Sequence, residues 1–150
     1  MTEHRRRTAV TGLLAAAVAT VAIALPSTAG ASFTTHFTVL KETVAVHQHG
    51  DSFTFRDVLL NPLNPANRVG WDRGRCRVGG GGKLRCVIVT HLDGSIGGFG
   101  DLLAKGNLGR GDKTLNIVDG NGDFSGAISG KVVAEHPGRR VTLVHFALTR

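Results

Sequence analysis

Asp57 is the residue best placed for chemistry. It stands in Ser52-Phe53-Thr54-Phe55-Arg56-Asp57-Val58-Leu59, where residue types alternate. Alternation at period two is the mark of a strand, and successive side chains point to opposite faces. Phe53, Phe55, Asp57 and Leu59 therefore share one face, and Thr54, Arg56 and Val58 the other. A carboxylate among three apolar neighbours implies burial, and it must then be neutral, paired or turned to a ligand. Such a group can accept or donate a proton to a bound molecule. The alternative is a structural acid bonded to backbone or to an Arg.

Two more groups are tied to each other by parity. Cys76 and Cys86 bracket a run centred on Gly81. Folding the chain about Gly81 pairs Val78 with Leu84, Arg77 with Arg85, and Cys76 with Cys86. Directly opposed residues on antiparallel strands are within disulfide reach. A bond closing so short a loop contributes about 2–3 kcal/mol in the chain-entropy account. Asp72 shares parity with Gly74 and Cys76. If the disulfide faces inward, Asp72 does too, and a second carboxylate near Asp57 pushes one of the two pKa values upward. The alternative leaves Asp72 on the surface beside a loop.

Other polar clusters offer less. His47 and His49 are two apart, a spacing that suits metal ligation on one strand face. No matching acidic or His pair accompanies them, so no metal is assigned. The run Asp119-Gly120-Asn121-Gly122-Asp123 has calcium-like composition. An EF-hand loop would need Gly and Glu where Phe124 and Gly130 stand. His145 alternates with Leu143 and Ala147 and reads as a core or wall histidine.

Eight candidate strands position these groups. They run at about 36–47, 52–60, 69–78, 83–92, 95–104, 114–118, 127–136 and 141–149. A Pro- and Asn-rich loop is expected at 61–67, where Pro62 and Pro65 argue against a central strand. A second loop is expected at 106–112. Short links make each strand pair with its neighbour. The result is either a sandwich or an up-and-down barrel, and the pattern alone does not choose.

The first 31 residues read as a cleavable signal peptide. Arg5, Arg6 and Arg7 precede an apolar run from Val10 to Leu25, then Pro26 and the small residues Ala29-Gly30-Ala31. The alternative is a retained anchor, for which the run is at the short limit. Cleavage leaves residues 32–150 as one secreted domain in an oxidising compartment, with no stable membrane anchor. The whole chain has 18 basic and 11 acidic residues; the leader takes three and one of them, which leaves +5. Base-stacking nucleic-acid readers need exposed aromatics, and this chain has one Trp and no Tyr. Nucleic acid is therefore not expected as a partner.

Several segments resemble one family. They are Gly50-Asp51-Ser52-Phe53-Thr54-Phe55-Arg56-Asp57-Val58-Leu59, Gly74-Arg75-Cys76, Ser95-Ile96 through Gly100, and Asp119-Gly120-Asn121-Gly122-Asp123-Phe124 through Gly126-Ala127. In order and spacing they look like the allene oxide cyclase and dirigent superfamily, in particular its secreted bacterial barrel-like members. The resemblance implies an all-β fold, an eight-stranded antiparallel up-and-down β-barrel with a central cavity. It also implies cyclisation or coupling of hydrophobic small molecules without a cofactor. Asp57 falls where relatives carry a cavity-lining Asn or Asp. Glu42 is the candidate for the first-strand Glu of the plant cyclases. The Arg common in dirigent members after the Gly-rich turn has no counterpart at 127–130.

The expectation is a barrel that holds a hydrophobic small molecule among Phe53, Phe55, Leu59 and Asp72, with Asp57 and Glu42 as the catalytic candidates of a cofactor-independent cyclase or isomerase. Two readings of other classes stand beside it. One is an extracellular carrier that does not convert its ligand. The other is a filled barrel acting at the envelope through its surface.

Overall fold

The computed structural model describes residues 34–109, 114–126, 129–135 and 140–149. The expected leader and its cleavage site lie outside them. The chain forms eight antiparallel strands in a closed barrel with sequential order. They are β1 (Thr34–His49), β2 (Ser52–Asn61), β3 (Asn64–Val78), β4 (Leu84–Asp93), β5 (Phe99–Leu108), β6 (Thr114–Gly120), β7 (Ser129–Ala134) and β8 (Val141–Thr149). Closure comes from β1 pairing with β8, from Thr34↔Thr149 to Glu42↔Val141. A closed ladder leaves no edge strand. Among the described residues no helix is long and apolar enough to cross a membrane.

The hairpin about Gly81 has the register its symmetry implies: Val78↔Leu84, Arg77↔Arg85 and Cys76↔Cys86. The two cysteines form a disulfide with their Cα atoms 4.1 Å apart. Both are buried in the core.

Two expected boundaries are corrected. The loop expected at 61–67 shrinks to Pro62 and Leu63, because β3 begins at Asn64 and takes in Pro65. Pro65 is tolerated because β4 pairs with β3 only from Gly70 onward. The β2 register also slips there, from Leu60↔Arg68 to Asn61↔Asn64, so the missing N–H breaks no ladder bond. The fifth strand lies four residues later than expected. Gly97 and Gly98 take positive φ (+73° and +134°), which ends any extended run before Phe99. Its far end then includes Gly106, which pairs with Cys86.

The barrel is packed unevenly along its axis. At the end carrying the β2–β3 and β4–β5 links, Phe124, Leu59, Leu92, Leu102 and Leu148 are buried. Phe37 stacks on Phe146 there at 4.6 Å and on Phe124 at 6.3 Å. Asn121 and Asp123 hold the turn that carries Phe124 in place: Asp101 N–H donates to Asn121 Oδ1 at 2.7 Å and Phe99 N–H to Asp123 Oδ2 at 2.8 Å. The acidic turn of calcium-like composition thus serves as a clasp for β5. At the opposite end the disulfide is buried, but the apolar side chains around it are less covered. Phe53, Phe55, Leu84, Ile88 and Leu108 are only partly covered, and Val46, opposite Phe55, is 58% exposed.

Candidate functional site

A polar belt lies between the tightly packed end and the less covered one. On β2, alternation points Phe53, Phe55, Asp57 and Leu59 to the interior, with Asp57 and Leu59 fully buried. The β2–β3 ladder sets Asp57 opposite Asp72, Phe55 opposite Gly74 and Phe53 opposite Cys76. Paired residues project on the same face, so the inward disulfide and inward Asp72 go together. Across β3–β4, Asp72 faces Thr90. Across β1–β2, Thr43 faces Asp57 and Lys41 faces Leu59; across β1–β8, Lys41 faces Thr142. Asp57, Asp72, Thr90 and Thr142 are the buried polar side chains among the described residues. Asp57, Asp72 and Thr90 lie on one register line over β2, β3 and β4; Thr142 and Lys41 lie on the next inward line, and the Lys41 side chain bridges the step to Asp57.

Lys41 Nζ lies 3.0 Å from Asp57 Oδ2, and its side chain is 20% exposed while that of Asp57 is fully covered. The ammonium also stands 5.4 Å from the Phe55 ring centroid, within cation–π range. It approaches Asp57 as a charge and not along a hydrogen-bond direction. Both Asp57 oxygens and Oδ1 of Asp72 therefore lack a hydrogen-bond partner among the described residues. A buried acceptor left unmet costs about 1–3 kcal/mol, which a ligand hydroxyl or a water can recover.

Burial drives the electrostatics of Asp72. Desolvation pushes its carboxyl from an ordinary 3.8 up to about 7. The Thr90 hydroxyl and the Lys41 charge pull it down, and the Asp57 charge pushes it further up. Lys41 sits against Asp57, and burial brings the Asp72 carboxyl to the point of gaining and losing a proton near neutrality.

Gly74 makes room for the aromatic wall. A Cβ at this position would fall within the Phe55 ring. The ring therefore lies flat over β3, with Phe53 6.4 Å from it.

The other sequence candidates are elsewhere. Glu42 is one residue from Lys41 and faces the opposite way. It pairs across the ladder with Val58, on the outer wall, and its Oε1 meets Arg140 at 3.1 Å. The structure does not bring it to Asp57 or Asp72. His145 is a wall histidine, held by Thr38 Oγ1 at 2.8 Å and Glu135 Oε1 at 3.0 Å. His47 pairs with Thr54 and His49 with Ser52, and no group of three metal-ligating residues forms among the described residues. Sequence reasoning missed Lys41 and Thr90. Thr90 could have been found by counting outward from the Cys76–Cys86 pair, since the hairpin register puts it opposite Asp72.

The barrel is similar to the solved structure of a pterocarpan synthase dirigent protein. The TM-score is 0.58 over 79% of this chain and 87% of that one, at 12% sequence identity. No family model and no curated protein matches the sequence. The fold is dirigent-like.

Proposed function

We propose that this protein is an exported barrel that takes a hydrophobic small molecule through its open end and moves a proton on it at the Asp57–Asp72–Lys41 belt. The reaction class is a cofactor-independent cyclisation or isomerisation. The observation that carries the reading is the set of buried carboxylate oxygens without hydrogen bonds, at the base of an apolar, half-exposed mouth. A group whose pKa lies near the working pH is the most effective general acid or base. Asp72 can protonate a substrate oxygen and take the proton back, while the Lys41–Asp57 pair fixes the local field. Phe53, Phe55 and Ile88 would fold a flexible apolar chain against this belt, and orientation alone can supply several kcal/mol. That another protein of this fold is a pterocarpan synthase supports small-molecule chemistry as an analogy of fold. The sequence resemblance to secreted bacterial cyclase-like barrels points the same way. The buried disulfide suits an extracellular compartment, and the exported protein should begin near Ser32 by mass spectrometry.

The test uses a neutral reporter, N-phenyl-1-naphthylamine, whose fluorescence rises in apolar sites. Wild type should bind it, and Ile88→Arg in the mouth should weaken binding at least tenfold. Unchanged binding would reject the cavity. Asp72→Asn and Asp57→Asn should hold the reporter within about threefold and lower turnover of ring-forming hydrophobic substrates by a factor of roughly 10²–10⁴. Binding retained with turnover equal to wild type would instead make the protein a carrier.

A further inference from the structure

The outer wall of β2, β3 and β4 carries a charge pattern that the interior site does not use. Arg73, Arg75 and Arg77 follow one another at alternate positions of β3, all exposed. Such residues lie on one face about 6–7 Å apart. Arg56 stands directly opposite Arg73, and Arg85 directly opposite Arg77. Like charges facing each other across a ladder destabilise it. Among the described residues no ion pair reaches any of these five arginines. The nearest acid at that end, Asp51 in the β1–β2 turn, makes none with them either. Two other outer-wall carboxylates have cationic or imidazole partners of their own: Glu42 meets Arg140 and Glu135 meets His145.

Two hollows lie on the basic wall. One, of about 280 Å³, is lined by Arg77, Lys83 and Arg85 with Gly79, Gly80 and Asn107. Three cations and the turn backbone converge on it. The other, of about 480 Å³, is a shallow groove lined by Arg56, Arg73 and Arg75 together with His47, Thr54 and Val87, and it reaches Phe55 and Gly74 at its floor. Arg75 and Arg77 join the two along β3.

We infer that this wall docks an extended phosphodiester polymer that carries no bases, such as a poly(glycerol phosphate) strand. The guanidinium fork matches phosphate oxygens in bidentate fashion, and arginine supplies five of the six cations facing the two hollows. An unbranched strand with one charge per repeat can run along β3 and place successive phosphates between facing arginines. Each phosphate would relieve one repulsive pair. No large ring stands free for a base: Phe55, at the floor of the larger hollow, is turned inward with Lys41 5.4 Å from its ring centroid. Trp71, the one large ring on this wall, is already covered by Arg73 at 4.7 Å and by His91 at 5.2 Å.

The probe is a fluorescein-labelled poly(glycerol phosphate) of about ten repeats, followed by anisotropy from 50 to 200 mM salt. Neutralising about four phosphates should give a slope of log K against log salt near −3, by the counterion-release rule for single strands. Arg75→Gln/Arg77→Gln should weaken binding at least tenfold. Lys131→Glu changes the net charge by the same amount on the other side of the barrel and should weaken it less than threefold. Arg85→Gln, confined to the smaller hollow, should cost at least threefold. Equal losses in the two charge-matched variants would overturn the proposal and leave only diffuse attraction by net charge. A labelled dT10 that binds more tightly than the polymer would overturn it in favour of a nucleic acid. Melting curves of each variant show that the barrel is intact.

Discussion

Asp57 and Asp72 face each other directly across the β2–β3 ladder, both turned into the barrel and both buried. Two carboxylates so placed cannot both carry charge without cost. Lys41 compensates one of them. The other, Asp72, makes folding depend on pH.

The sign follows from linkage. Asp72 holds its proton up to about pH 7 in the folded barrel and only to about 3.8 in the open chain. Between those values the folded state binds more protons, so stability falls as pH rises. The span corresponds to about 4 kcal/mol at most, reached above neutrality. Wild type should melt at a lower temperature at pH 8 than at pH 5.5. Asp72→Asn should remove most of that difference and be the more stable protein at pH 8. A melting temperature of Asp72→Asn that tracks the wild type at both pH values would contradict this assignment.

Removing Lys41 strands the carboxylate beside it. Lys41→Met should destabilise the barrel by about 2–4 kcal/mol, slightly less than for a fully buried pair because the ammonium is partly exposed. Asp57→Leu in the same chain should restore most of the loss. Urea denaturation of the two single variants and the double measures the coupling, and additive losses would show that the pair does not interact.

Gly74 and Phe55 are a matched pair. Gly74→Ala drives a methyl into the ring position of Phe55, so the ring must swing into the mouth at a cost of about 1–3 kcal/mol. In a Phe55→Ala background the same change should cost well under 1 kcal/mol, as there is no ring to displace. The reporter dye should also bind Gly74→Ala more weakly than wild type.

Arg56 opposite Arg73 predicts a stabilising substitution on the outer wall. Arg56→Thr, which keeps a good strand residue at an exposed position, should raise stability by about 0.3–1 kcal/mol at low salt. The gain should shrink above 0.5 M salt, because screening already weakens the repulsion.

The readable parts of the sequence were those with a clean period or a local symmetry. Phe53 to Leu59 alternates without interruption, so its inward face could be assigned. The hairpin about Gly81 is its own ruler, and three of its cross-strand pairs follow from counting. Lys41 was hidden because both faces of β1 mix polar and apolar residues: Val39, Lys41 and Thr43 on one, Leu40 and Glu42 on the other. A register shift between Thr43 and Ala45 then reverses the parity for the rest of the strand. The opposition of Asp57 and Asp72 depended on the length of the β2–β3 link. Two prolines made that link look seven residues long, whereas the turn itself takes two. Glu42 could be named only by resemblance, and the β1 register turns it outward, away from the belt.

Closure of the barrel through β1 and β8 has a consequence for how the chain is made. The strand synthesised first finds one of its two partners only when the last has emerged, with more than 100 residues between Thr34 and Thr149. Until then β1 and β7 each present a raw ladder edge, the kind of surface that recruits other chains. Distant pairings of this sort also form slowly. A chain halted before Val141 should therefore aggregate, even though seven of its eight strands are intact. The yield of folded protein would then depend on how long a nascent chain remains without β8.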